Sequence, residues 1–128
     1  DDGDLLVNEV APRAHNSGHH TIEACVTSQF ENQLRACLDI PLGATELRGV
    51  ALTANLVGEP GFVGSPVIEG LDELSQIPDA HIHLYGKDEC RPGRKMGHLT
   101  FIGKNHDELI QRFELVRNNL IIRGDTPQ

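Results

Sequence analysis

The sequence lacks any apolar run long enough to span a bilayer, and its start, Asp1-Asp2-Gly3-Asp4, lacks the basic stretch and apolar core of a signal peptide. Neither a membrane protein nor a secreted one is expected, and a cytoplasmic location is the default. Cysteine is scarce. The three present, Cys25, Cys37 and Cys90, form no C-x-x-C pair, and their odd number argues against a disulfide framework. Positive charge is short as well: 11 Lys and Arg stand against 19 Asp and Glu, a formal net charge of −8. The basic residues form no polybasic stripe, so nucleic acid is not an expected partner. What remains, 128 residues with 38% hydrophobic and 23% charged side chains, suits a soluble globular protein with a real core.

An initiator Met is also missing. Asp2-Gly3 is a two-residue hairpin signal and Leu5 to Val10 reads as the strand after it, yet no strand precedes the turn. The chain is therefore expected to be a piece of a longer polypeptide. Thr21 to Val26 can form a short helical turn. Ser28-Gln29-Phe30-Glu31 matches a capping box opening a helix that carries Phe30, Leu34, Cys37 and Leu38 on one face and stops before Pro41. Arg48 to Val57 reads as a strand with Val50, Leu52, Ala54 and Leu56 on one face, and the glycines and prolines of 58–66 predict a loop. His81 to Tyr85 and Lys95 to Ile102 read as an antiparallel pair joined by a long basic connection. Asn105 is a good N-cap for a last helix with Leu109, Phe113, Val116 and Leu120 on one face and Arg117 and Arg123 near its end. The pattern is α+β.

The densest chemistry lies in Val7-Asn8-Glu9-Val10-Ala11-Pro12-Arg13-Ala14-His15-Asn16-Ser17-Gly18-His19, where a carboxylate, a guanidinium and two imidazoles follow one another. Glu9 is a plausible ligand for magnesium, which prefers oxygen donors and usually takes one or two carboxylates from protein. Arg13 adds a fork of donors suited to carboxylate or phosphate, and His15 a group that titrates near neutral pH. A zinc site at His15 and His19 is disfavoured, because an H-x-x-x-H pair needs a helix and Gly18 lies inside the span. His81 and His83 share a strand face, and the simpler account is a half-exposed sheet face with His83 opposite a residue near His98. Between Lys87 and Lys95, Lys87, Arg91, Arg94 and Lys95 outweigh Asp88 and Glu89. Lys87 and Arg94 flank a turn with Pro92 and Gly93 that is able to fold both cations onto one anion.

The strings VNEVAPRAHNSGHHTIEACVTSQFENQLRACLDIPLG and HLYGKDECRPGRKMGHLT closely resemble the C-terminal portion of the N5-carboxyaminoimidazole ribonucleotide synthetase family, ATP-grasp ligases of purine biosynthesis. The resemblance covers nearly the whole chain and is weakest at residues 57–80 and in the last helix. It implies an α+β architecture: residues 1–45 as the C-terminal remnant of an ATP-grasp domain, and 46–128 as a small, mostly β domain with a terminal helix. It also implies a reaction, the ATP-dependent joining of bicarbonate to the amino group of 5-aminoimidazole ribonucleotide. Glu9 then resembles the magnesium-binding glutamate that closes the ATP site. Arg13 and His15 resemble catalytic residues that orient the activated carboxyl group and the aminoimidazole. Lys87 and Arg94, helped by Lys95, resemble the grip on the ribonucleotide phosphate, while Asn16, Ser17 and His19 shape the substrate loop. Most of what holds ATP and Mg2+ in that family would lie upstream of Asp1, so the fragment alone is expected to be inactive. The family is usually dimeric, which makes a homodimer the expected state of the longer enzyme. Two competing readings are a formate-dependent glycinamide ribonucleotide transformylase, which has a similar strand and basic connection, and a stand-alone zinc-binding module.

Overall fold

The structure, a computed structural model, describes residues 3–128. The first secondary structure is a single 3-10 turn, Asn16–Gly18, followed by α1 (Thr21–Ala24) and α2 (Gln29–Cys37). The Ser28 hydroxyl accepts the Glu31 N–H at 3.1 Å, which satisfies one of the N–H groups that the first turn of α2 leaves without an intrahelical partner. Beyond α2 the chain runs through β1 (Val50–Val57), β2 (Phe62–Glu69), α3 (Leu71–Ser75), β3 (Ala80–Leu84), β4 (Lys95–Gly103), α4 (His106–Arg117) and β5 (Ile121–Pro127).

Two antiparallel sheets result, one of order β1-β4-β3 and one pairing β2 with β5. β4 is central, and Met96 to Phe101 are buried without interruption. Alternation along the strand sends Leu99 and Phe101 to the face covered by α4 and leaves His98 and Thr100 on the other, toward α1. Met96 is the extra residue of a bulge opposite Leu56 and Val57, and it joins Leu56, Leu74, Leu99, Phe101, Leu109, Val116 and Ile122 in the core. Gly97 lies where β3 crowds β4, since a Cβ there would meet the His83 carbonyl oxygen at 2.3 Å. Residues 24–26 are tied to 46–48 by main-chain bonds from Val26 to Glu46 (3.0 Å) and from Arg48 to Ala24 (2.6 Å), which seats the N-terminal loop on the sheet.

Three expectations need correction. Leu5 to Val10 is not a strand; it is exposed and irregular, because no strand among the described residues offers it main-chain partners. The Asp2-Gly3 turn falls partly on Asp2, outside the described residues, while Gly3 has φ of +79°. The segment 58–66 is not all loop, since β2 starts at Phe62 despite Gly64 and Pro66. A register break between Val63 and Pro66, with Gly64 at φ +107°, absorbs both residues in a two-stranded sheet that is all edge. Finally α4, capped by Asn105 accepting the Glu108 N–H at 2.9 Å, ends at Arg117, and the last element is a strand. Arg123 belongs to β5, where it pairs with Glu69 at 2.7 Å and lies over the Phe62 ring.

Candidate active site

The loop between Glu9 and His19 is shaped by Gln29, the first residue of α2. The His15 N–H donates to Gln29 Oε1 at 2.9 Å, so the amide orientation is set, and Gln29 Nε2 must donate to the His15 carbonyl (2.8 Å) and His19 Nδ1 (3.1 Å). Gly18 leaves room for this clamp, since a Cβ there would meet Gln29 Oε1 at 2.3 Å. The Gln29 N–H in turn donates to Thr21 Oγ1 at 2.9 Å, and that hydroxyl donates to the Gly18 carbonyl at 2.6 Å. His15 caps the 3-10 turn, with Nδ1 accepting the Ser17 N–H at 3.3 Å and contacting Ser17 Oγ at 2.9 Å. A neutral His15 then carries its proton on Nε2, which faces Glu9 Oε1 at 3.4 Å.

Behind the loop, three imidazoles form a stack. His83 and His98 are direct cross-strand partners, their rings 4.5 Å apart between centroids and 12° from parallel. His19 covers the other side of His98 at 4.7 Å and itself stacks on Phe30 at 5.7 Å. Glu23 of α1 meets His83 Nε2 at 2.5 Å, and Tyr85 Oη lies 3.0 Å from His98 Nδ1. His98 is 3% exposed. Burial, with His83 and His19 beside it, outweighs the opposing pull of Glu23 and lowers its pKa to about 4, so the ring is neutral at pH 7. His19 shifts the same way through burial, then Lys95, His83 and His15. Burial raises the Tyr85 phenol, which keeps its proton.

On the far side of Tyr85 lies the basic connection. Lys87 Nζ sits over the Tyr85 ring at 5.6 Å and donates to the Lys95 carbonyl. Arg94 Nη1 pairs with Glu89 Oε2 at 2.9 Å and also donates to the Glu89 carbonyl at 3.2 Å. Both cations thus have partners inside the connection that an anion would have to displace or share.

The structure brings Glu9, His15, Ser17 and, through Gln29, His19 together, and it sets Lys95 close enough to His19 to act on its charge. Asn16 contributes its carbonyl to the His19 N–H at 3.1 Å. Arg13 stands apart, exposed, with its guanidinium donating to the Ala14 carbonyl at 3.1 Å. His83 does face His98, as the strand spacing suggested. No group of three His, Cys, Asp or Glu side chains arranged to hold a metal ion occurs among the described residues. Reading the sequence missed Gln29, Glu23 and Tyr85, and it named His98 only as lying near the residue opposite His83, with no part in a site. Only period-two alternation, which puts His98 and Thr100 on the face of β4 away from Leu99, offered a signal, and it is silent on what lies across that face.

Comparison with known proteins adds relatives to this geometry. A family model described as the phosphoribosylaminoimidazole carboxylase C-terminal domain matches residues 51–112, and one for the ATP-grasp domain matches residues 1–30. The N5-carboxyaminoimidazole ribonucleotide synthase of Bacillus subtilis is 47% identical over 111 residues, covering 87% of this chain and 28% of that protein. The protein of the same name from Mycobacterium tuberculosis is 51% identical over 116 residues, covering 89% and 27%. Among solved structures, the Thermotoga maritima N5-carboxyaminoimidazole ribonucleotide synthetase superposes with a TM-score of 0.91 at 47% identity, over 96% of this chain and 34% of that one. The Aspergillus clavatus synthase in complex with ADP and 5-aminoimidazole ribonucleotide gives 0.69 at 36% identity, over 83% and 29%. The chain thus spans about 28% of the first curated relative's length.

Proposed function

We propose that this chain, which belongs to the N5-carboxyaminoimidazole ribonucleotide synthetase family of ATP-grasp ligases, supplies the substrate-facing part of an enzyme that joins bicarbonate to the amino group of 5-aminoimidazole ribonucleotide with cleavage of ATP. The observation that carries the reading is the clamped loop from Glu9 to His19 standing beside the basic connection, with the His19 ring edge-on to Tyr85 at 6.4 Å and Lys87 over that same phenol ring at 5.6 Å. Residues 1–45 act as the ATP-grasp part and 46–128 as the small domain, a division supported by the two family matches on either side of it.

The donor set at the loop fits a magnesium ion. Glu9 is an exposed carboxylate with no partner besides His15 among the described residues, and magnesium takes one or two carboxylates and completes its shell with phosphate oxygens. Glu9 would hold the ion, which when bound with ATP neutralises charge on the phosphates. Arg13, free to swing from the Ala14 carbonyl, orients the activated carboxyl group through its fork of donors. His15, with Nδ1 turned to Ser17, presents Nε2–H and so orients the substrate by donation. Lys87, Arg94 and Lys95 hold the ribonucleotide phosphate, and that distant contact helps fix the amine beside the carboxyl group before the activated species hydrolyses. The isolated chain, with its ATP-grasp match confined to residues 1–30, is inactive without the remainder of such a ligase. That ligase works in the cytoplasm as a homodimer.

Steady-state assay of the full ligase carrying these residues tests the reading. Lys87→Ala/Arg94→Ala should raise KM for 5-aminoimidazole ribonucleotide at least tenfold and leave KM for ATP within about twofold, as expected when charge-assisted contacts to one substrate are lost. Equal effects on both substrates would remove the basic connection from the ribonucleotide site. Absence of bicarbonate-dependent ADP release in the wild type would remove the activity.

A further inference from the structure

His98, at the centre of the imidazole stack, has no part in the roles assigned above, yet it joins their two halves. His19 comes from the loop clamped by Gln29, and Tyr85 leads from the end of β3 into the connection that carries Lys87. His98 touches both, stacking on His19 at 4.7 Å and bonding Tyr85 Oη at 3.0 Å. We propose that His98 is a positioning residue for the ribonucleotide site, holding the His19 loop and the Tyr85–Lys87 strand end in fixed register.

The chemistry of the ring supports this role. His98 is buried on the central strand, so its position is set by the sheet and not by solvent. A neutral imidazole has one donor and one acceptor nitrogen. With the Tyr85 hydroxyl as donor to Nδ1, the His98 proton sits on Nε2. Neither His98 Nε2 nor Glu23 Oε2 has a hydrogen-bond partner among the described residues, and Glu23 is near enough to bear on the His98 charge, so an N–H at Nε2 would share this buried face with a carboxylate of matching polarity. Glu23 also holds His83, the opposite plate of the stack. The neutral state matters because protonated rings at 4.5 and 4.7 Å would repel, freeing His19 from β4. Beyond Tyr85 the chain of contacts continues to Lys87 over the phenol ring and to the Lys95 carbonyl. Substrate geometry at the loop and phosphate geometry at the connection are thereby set by one side chain that touches neither.

The inference rests on the carboxylating activity proposed above, and its test separates the two. In the full ligase, Tyr85→Phe removes only the hydroxyl, and His98→Phe keeps a flat ring in the stack but loses the acceptor. Each should raise KM for 5-aminoimidazole ribonucleotide by about 5- to 20-fold, the effect of losing one buried hydrogen bond, with KM for ATP within about twofold. The double variant should be no worse than the more severe single one, since both break the same bond. In the wild type, ring nitrogen NMR should find Nδ1 unprotonated and hydrogen-bonded, with a shift that moves in Tyr85→Phe. Unchanged ribonucleotide KM in Tyr85→Phe, or equal changes for both substrates, overturns the positioning role while the activity stands. A wild type without ribonucleotide-dependent turnover overturns both.

Discussion

Gln29 grips His15 by both of its main-chain groups, accepting its N–H at 2.9 Å and donating to its carbonyl at 2.8 Å. The pairing resembles one rung of a sheet, made by a side chain in place of a strand. Gln29→Ala should destabilise the protein by about 1–3 kcal/mol, because it leaves part-buried main-chain groups unpaired. Gln29→Glu should do nearly the same, since it sets a carboxylate against the His15 carbonyl. Urea unfolding midpoints check both, and a Gln29→Glu variant as stable as wild type would show that the clamp needs only an acceptor.

Gly18→Ala acts on the same clamp from the other side. The new methyl would lie 2.3 Å from Gln29 Oε1, so the amide must move and lose its bonds to His15 and His19. The expected loss is smaller than for Gln29→Ala, about 1 kcal/mol, because a flexible side chain can swing away. In Gln29→Ala the Gly18 substitution should cost almost nothing further. Full additivity in a double-mutant cycle on unfolding free energies would argue against the contact.

Acid should weaken the fold through His98. Its folded pKa of about 4 lies below the ordinary value of 6.5, so between these the unfolded chain binds the extra proton and stability rises with pH. Read downward, stability is lost as pH falls from about 6.5 toward 4, by up to about 3 kcal/mol from this ring. His19, also lowered, adds in the same direction. His98→Phe should flatten the dependence relative to wild type across that window. The check is unfolding free energy against pH for both proteins, and parallel curves would contradict the burial-driven shift.

Glu89 competes for Arg94. With the carboxylate 2.9 Å from Nη1, Glu89→Gln should free the guanidinium for phosphate and lower KM for the ribonucleotide by about two- to fivefold, in line with an exposed ion pair worth under 1 kcal/mol. A rise in KM would mean that Glu89 instead holds Arg94 in place. High salt should shrink the difference between the two proteins.

The amino-acid sequence by itself determined the elements whose signals are local. Ser28 and Asn105 cap α2 and α4 where their spacing to Glu31 and Glu108 requires, and period-two alternation marks β1, β3 and β4. It also singled out Glu9, Arg13, His15 and His19, because unusual functional groups crowded into one loop can be seen without a fold. Tertiary structure decided whatever depends on a distant partner. β2 forms through glycine and proline because β5 supplies its hydrogen bonds, whereas Leu5 to Val10 stays irregular with no strand beside it among the described residues. His98 becomes the neutral centre of a stack only because β4 sets it opposite His83 and the loop lays His19 on its other side. Hydrogen-bonding capacity and polarity belong to each residue, but burial and neighbours belong to the fold, and these two set the charge of that ring.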